Sequence, residues 1–125
     1  MLKNHPIVPY IPVSDMDRAR RFWEEKVGLE AAEVHPEGVV YRCGSGSWVF
    51  LYQSAGAGTN RASCAFWTVD DVEKEVADLK KRGVEFEEYD RPGIRTVNGI
   101  ATGSRVKTAW FKDTEGNIMA LAQQL

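Results

Sequence analysis

The chain contains an internal repeat, and this repeat limits the folds that it can adopt. The segments SDMDRARRFWEEKVG (14–28) and DDVEKEVADLKKRG (70–83) each indicate an amphipathic helix that follows a short apolar strand, with an offset of 56 positions. Downstream, GSWVFLYQ (46–53) matches GNIMALAQ (116–123) with an offset of 70. Repetition of one supersecondary unit indicates a tandem architecture. The sequence therefore predicts two βαβββ units, the second with 14 extra residues.

The predicted fold class is α+β, with a single domain over residues 1–125. Unit one covers 6–53, a flexible linker rich in Gly, Ala and Ser covers 54–60, and unit two covers 61–125. Ser14 and Asp70 are the predicted helix N-caps because each has an acidic residue three positions later. Gly28 and Gly83 end the two helices. The predicted strands are 7–13, 31–34, 39–43, 47–53, 62–69, 84–88, 106–112 and 117–123.

The extra residues of unit two fall within YDRPGIRTVNGIATGS (89–104). Asn98-Gly99 between two short β-prone segments is a type I′ hairpin signal. If this insertion lies over a binding site as a lid, Arg91 and Arg95 could hold a carboxylate or phosphate group. The alternatives are a plain surface hairpin or a subunit contact.

Composition excludes several classes of protein. A net charge of −2 argues against a nucleic-acid partner. No apolar run reaches the 18 residues of a membrane span, and the first ten residues lack a secretory apolar core. The two cysteines have no metal-type spacing. We therefore expect a cytoplasmic protein with reduced thiols and no membrane partner.

The tandem βαβββ pattern, together with RFWEEKVGLE (21–30) and FKDTEGNIMAL (111–121), resembles the vicinal oxygen chelate superfamily. That superfamily includes glyoxalase I, bleomycin-resistance proteins, fosfomycin-resistance enzymes and extradiol dioxygenases. The resemblance implies a cup-shaped mixed sheet with helices on its outer face and a ligand inside the cup. It also implies a homodimer, since small members build their clefts from units of two chains.

Enzymes of that superfamily bind a divalent metal through the first and last strand of each unit. Transferred through the two repeat offsets, the four ligand positions are occupied by Val8, Phe50, Cys64 and Ala120. Only Cys64 carries an atom that could coordinate a cation. One ligand is too few, because catalytic zinc sites use about three protein ligands. We therefore expect no metal and no other cofactor.

Side chains alternate between the two faces of a strand, so the neighbours two positions away from these four also face the cup. The predicted ligand-binding residues are Tyr10, Trp48, Phe50, Tyr52, Cys64, Phe66 and, from the insertion, Arg95. The alternative is that the aromatic rings simply fill a core and that Cys64 is a small buried apolar residue. The two histidines, His5 and His35, are expected to be exposed.

These patterns leave three hypotheses for function. The first is metal-independent binding of a small aromatic or apolar molecule, as in bleomycin-resistance-type proteins. The second is a lyase, isomerase or oxygenase whose metal site is rebuilt from His5 or His35 with acidic residues. The third is a non-catalytic dimerisation or regulatory module.

Overall fold

The two predicted units form two mixed β-sheets in the computed structural model, which describes residues 1–125. Unit one contains β1 (Tyr10–Val13), α1 (Met16–Arg21) continued by a π-helical turn (Phe22–Lys26), β2 (Ala31–His35), β3 (Gly38–Arg42) and β4 (Trp48–Gln53). Unit two contains β5 (Ser63–Thr68), α2 (Val72–Lys81), β6 (Asp90–Arg91), β7 (Ile94–Val97), β8 (Ile100–Thr102), β9 (Val106–Lys112) and β10 (Ile118–Gln124). Short 3₁₀ turns lie at Leu2–Asn4 and Gly44–Gly46.

The strand registers confirm the repeat. The first sheet has the order β1-β4-β3-β2, and the second has β5-β10-β9-β8-β7-β6. In the first sheet the parallel pair β1–β4 places Tyr10 beside Phe50. In the second sheet the parallel pair β5–β10 places Phe66 beside Ala120. Phe66 follows Tyr10 by 56 positions and Ala120 follows Phe50 by 70 positions, the same offsets that relate the two halves of the sequence.

Both helices begin one residue later than predicted. The caps are Asp15 and Asp71, whose Oδ1 atoms accept the backbone N–H of Arg18 (3.0 Å) and Lys74 (3.1 Å). The prediction of Ser14 and Asp70 was therefore wrong. The Ser14 hydroxyl is hydrogen-bonded to a carboxylate 101 residues away, which local pattern cannot reveal.

The strand predicted at 84–88 was also wrong. Only one bridge forms there, between Phe86 and Phe111. The chain then forms β6 and β7 at the outer edge of the second sheet and continues into β8, where Ile100 lies beside Ala109 of β9. Residues 84–88 therefore pair with β9 at one bridge only, and the strands of the insertion extend the second sheet at its edge.

The hairpin predicted within the insertion is confirmed. Thr96 pairs with Ala101 and Val97 with Ile100. Asn98 (φ 54°) and Gly99 (φ 83°) both adopt the left-handed conformation that a type I′ turn requires. The first strand is shorter than expected, so that Val8 lies before β1 rather than within it.

One hydrophobic core joins the two units. In β1, β4 and β10, the residues that alternate with the cup-facing ones are buried. They are Ile11, Val13, Val49, Leu51, Met119 and Leu121. Trp23 of the π-helical turn is 1% exposed and packs against both Tyr41 and Trp67 (centroids 6.1 and 5.9 Å apart). The helix of unit one thus packs against both sheets. No helix has the length and apolar character needed to cross a membrane.

Candidate functional site

An aromatic cluster covers the concave face of the first sheet. The rings of Tyr10 and Tyr52 stack with centroids 3.8 Å apart, and Tyr10 lies 5.5 Å from Phe50. Gly38 makes this arrangement possible, because a Cβ at that position would lie 2.6 Å from the Phe50 ring and 2.1 Å from the Leu51 carbonyl oxygen. The structure thus brings together three of the predicted ligand-binding residues.

Two other predicted residues, Trp48 and Phe66, line a separate crevice of about 150 Å³ between the units. Ile7 lines the same crevice. Trp48 is 37% exposed and Phe66 is 65% exposed. Within one chain, therefore, Phe50 belongs to the tyrosine cluster, whereas Trp48 and Phe66 face a different space.

The largest open groove, about 770 Å³, lies on the second sheet. Trp110 and Thr108 of β9 line it, and the insertion forms much of its wall. Trp110 is opposite Ala120 in the sheet, so both lie on the same face as Phe66. The sequence analysis missed Trp110 because it assigned no faces to β9. The alternation of Val106, Thr108 and Trp110 was the signal that could have identified it.

Arg95, the predicted ligand-binding residue of the insertion, lines this groove together with Arg91. Its guanidinium Nε lies 3.2 Å from the carboxylate of Asp90. Arg95 is therefore separate from the aromatic cluster of the first sheet, and it also lines a second groove against α2, together with Glu73 and Lys80.

The sequence matches one protein family over most of its length. The model of the Glyoxalase/Bleomycin resistance protein/Dioxygenase superfamily matches residues 4–121. The chain belongs to this superfamily. It is 30% identical over 120 residues to the uncharacterized protein YetH of Bacillus subtilis (strain 168), covering 89% of this chain and 91% of YetH.

Solved structures agree with this assignment. TnmS3, an antibiotic binding protein from Streptomyces sp. CB03234, is 25% identical with a TM-score of 0.66, covering 96% of this chain and 97% of that one. A glyoxalase/bleomycin resistance protein/dioxygenase from Alicyclobacillus acidocaldarius has a TM-score of 0.72 at 18% identity, covering 98% of this chain and 92% of that one. At 18% identity, the similarity to the Alicyclobacillus protein is evidence for the fold only.

The resemblance to the superfamily assigned its four metal-ligand positions to Val8, Phe50, Cys64 and Ala120. The side chains of Val8, Phe50 and Ala120 have no donor atoms, and Ala120 is buried beside Phe66 and Trp110 in the sheet. The structure contains no cluster of three or more His, Cys, Asp and Glu side chains that could hold a metal ion.

Both His5 and His35 are exposed, as predicted. His35 Nε2 lies 3.1 Å from Glu33 Oε1, which gives only two donor side chains at that place.

Cys64 differs from the interpretation of a buried apolar residue, because its side chain is exposed. Its Sγ lies 3.4 Å from the Ile118 carbonyl oxygen and 3.6 Å from Met119 Sδ. Partial desolvation of the sulfur, with the negative charge of Asp113, raises the pKa of the thiol. A protonated thiol is a weak nucleophile, so this environment does not activate Cys64.

A buried carboxylate that the sequence analysis did not single out connects the two units. The Glu115 side chain is fully buried and accepts hydrogen bonds from Ser14 N–H (3.0 Å), Asp15 N–H (2.9 Å) and Arg18 Nε (2.9 Å). Desolvation opposes ionisation, but these donors, Arg18 first, lower the pKa of Glu115 to about 2. The last turn of unit two is thereby fixed to the first helix of unit one.

Proposed function

We propose that this protein binds a small planar aromatic or apolar molecule on its concave faces without a metal ion. The observation that carries the proposal is unfilled aromatic surface: Tyr10 of β1 is 62% exposed and Phe66 of β5 is 65% exposed. Exposed aromatic side chains on a concave sheet are typical of a binding site, since filled cores leave no such surface.

The similarity to TnmS3 supports the proposal that the ligand is a small molecule. TnmS3 is an antibiotic binding protein, and the two chains align over nearly their whole lengths. Aromatic stacking of the kind available at Tyr10, Tyr52 and Trp110 contributes roughly 0.5–1.5 kcal/mol per pair beyond area burial. Several rings around one planar ligand therefore supply affinity without a coordinated ion.

The proposal includes a homodimer. The residues opposite the concave faces form the shared core of one chain, so the concave faces point away from that core. Each of the two sheets therefore has a concave face that is open to solvent in the single chain; we call each such face a half-cup. A second copy of the chain that packs against these faces would enclose the aromatic surface and complete the binding cleft.

The test is a titration with N-phenyl-1-naphthylamine, an uncharged planar probe that fluoresces in apolar sites. We expect saturable binding that is unchanged after dialysis against EDTA. Phe50→Ala should weaken binding about tenfold through the lost ring contact. The control Val34→Ala removes an exposed apolar side chain from β2, outside the Tyr10 cluster, and should leave affinity unchanged.

Two results would contradict the proposal. The first is stoichiometric Zn, Ni, Mn or Fe that survives dialysis, which would favour a metal-dependent enzyme. The second is absence of probe binding together with a loss of about 3–5 kcal/mol of stability in Phe50→Ala, as expected of a packed core phenylalanine. Phe50→Glu should not create a tight metal site, because Val8 and Ala120 still lack donor atoms.

A further inference from the structure

The groove on the second sheet combines an aromatic floor with a positively charged wall. Trp110 lies at the floor, and Arg91 lies in the wall that the insertion builds. Asp90 and Arg95 border the groove but pair with each other on the α2 side of the sheet, because Thr96 is on the Trp110 side and neighbouring strand residues alternate. Arg91 therefore gives the groove its positive charge.

The position of Arg91 is fixed by a chain of contacts. Its guanidinium carbon lies 5.0 Å from the centroid of the Tyr89 ring, within the range of a cation–π interaction. Tyr89 in turn packs edge-on against Trp110, with centroids 5.5 Å apart and an interplanar angle of 76°. The groove floor and the charged wall are therefore parts of one packed assembly.

Backbone hydrogen bonds hold this assembly at the base of the insertion. The Tyr89 N–H donates to Thr96 Oγ1 (2.8 Å), and the Thr96 N–H donates to the Tyr89 carbonyl (2.9 Å). Thr96 is buried, unlike most of the insertion. Arg91 is thus presented close to the anchored base of the insertion rather than from a free loop.

The charge of Arg91 is uncompensated. None of the ion pairs in the structure includes Arg91. The neighbouring Arg95 pairs with Asp90 on the other side of the sheet. An incoming anion could therefore pair with Arg91 without breaking an existing ion pair.

We infer that this groove contains an anion-binding subsite, and that the ligand is a planar molecule with a carboxylate, sulfonate or phosphate substituent. The planar part stacks on Trp110, and the anionic group pairs with Arg91. This inference rests on the proposed binding of planar molecules and adds the charge of the ligand. Guanidinium groups pair with such anions through charge-assisted hydrogen bonds.

The experiment compares two probes that share one ring system. 8-Anilinonaphthalene-1-sulfonate carries a sulfonate, and N-phenyl-1-naphthylamine is its uncharged counterpart. We expect the sulfonate probe to bind about tenfold or more tightly than the uncharged one at low salt, with the difference shrinking as salt is added. The variant Arg91→Gln should bring the two affinities together and leave the uncharged probe unaffected.

A matched control separates the subsite from general surface charge. Arg21→Gln removes an exposed arginine of α1 that forms no ion pair, and it should change neither affinity. Circular dichroism and gel filtration of each variant show whether it folds and keeps its oligomeric state.

Each other outcome overturns the inference in a recognisable way. Equal affinities for the two probes in the unaltered protein would reject the anion subsite and leave the proposed function standing. Binding of neither probe would reject both. Dissociation of a dimer by Arg91→Gln would assign Arg91 to a subunit contact instead.

Discussion

Glu115 connects the two units through hydrogen bonds, in addition to the hydrophobic core that they share. Its buried carboxylate is ionised because Arg18 and backbone N–H groups of the first helix hydrogen-bond to it. A pKa lowered from 4.5 to about 2 stabilises the folded state above about pH 4.5, and this stabilisation is lost as pH falls toward 2.

We therefore predict that Glu115→Gln lowers the free energy of unfolding at pH 7 by about 2 kcal/mol. The full pKa shift corresponds to a somewhat larger value, but Arg18 is 44% exposed and solvent screens it. The stability difference between the two proteins should shrink between pH 4.5 and 2, as measured by urea denaturation. Comparing the proteins at each pH matters, because burial raises the pKa of Asp113 and gives that residue the opposite pH dependence.

Glu25→Gln is the control for this experiment, since Glu25 is exposed and forms no ion pair. It should leave the stability curve nearly unchanged. A stability difference for Glu115→Gln that stays constant from pH 7 to pH 2 would show that the network does not depend on ionised Glu115.

Gly38 is the residue that allows the Phe50 ring to reach its position. We predict that Gly38→Ala destabilises the protein by about 1–3 kcal/mol, because the added methyl group would meet both the ring and the Leu51 carbonyl. Gly44→Ala is the matched control, since a Cβ there would have no heavy atom within 4 Å. Thermal denaturation of the two variants gives the comparison, and equal melting temperatures would contradict the account of Phe50 packing.

Among the elements, the insertion at 89–104 is predicted to be one of the more mobile segments. It contains three glycines, and most of its side chains are exposed. Amide order parameters measured by NMR should be lowest near Pro92-Gly93 and higher at Thr96, whose N–H is bonded to Tyr89. Order parameters as high throughout the insertion as in β9 would refute this prediction.

The elements also show what local sequence can and cannot predict. The hairpin at Asn98-Gly99 was predicted correctly because the turn type depends on those two residues alone. The cap of the first helix is Asp15 rather than Ser14, and Ser14 instead bonds to Glu115, a partner distant in sequence. The strand expected at 84–88 did not form, because β8 of the insertion pairs with β9 and leaves only the Phe86–Phe111 bridge.

At the site, alternation along the strands predicted the cluster of Tyr10, Phe50 and Tyr52, since that pattern follows from pleating. It did not predict that Trp48 and Phe66 would face a different crevice, because the relative placement of the units depends on the whole core. Alternation places Val106, Thr108 and Trp110 on one face of β9, but that this face is the concave one follows from the pairing of Trp110 with Ala120. Cross-strand register of this kind is a tertiary property that no short segment encodes.

At the scale of the whole molecule, the exposed aromatic faces predict self-association. We expect sedimentation velocity to give a species of twice the chain mass of 14.0 kDa at micromolar concentration. Burial of rings such as Phe66 at the centre of an interface would drive this association. Phe66→Asp should shift the equilibrium toward monomer, because it places a charge on that surface. A monomer at all concentrations would contradict this prediction, and each concave face would then have to bind its ligand without a second chain.

The central claim, binding of a planar aromatic molecule to the concave faces without a metal, is tested most directly by NMR of the tryptophan indole N–H groups. The protein has four tryptophans, so each can report separately on its surroundings. Trp110 and Trp48 line open spaces, whereas Trp23 is buried and its indole N–H donates to Asp113 (3.4 Å). Titration with 1-naphthol in the presence of EDTA should shift the Trp110 or Trp48 signal in a saturable way and leave Trp23 unmoved. Absence of a saturable shift, or shifts that appear only when a divalent metal is added, would contradict the claim.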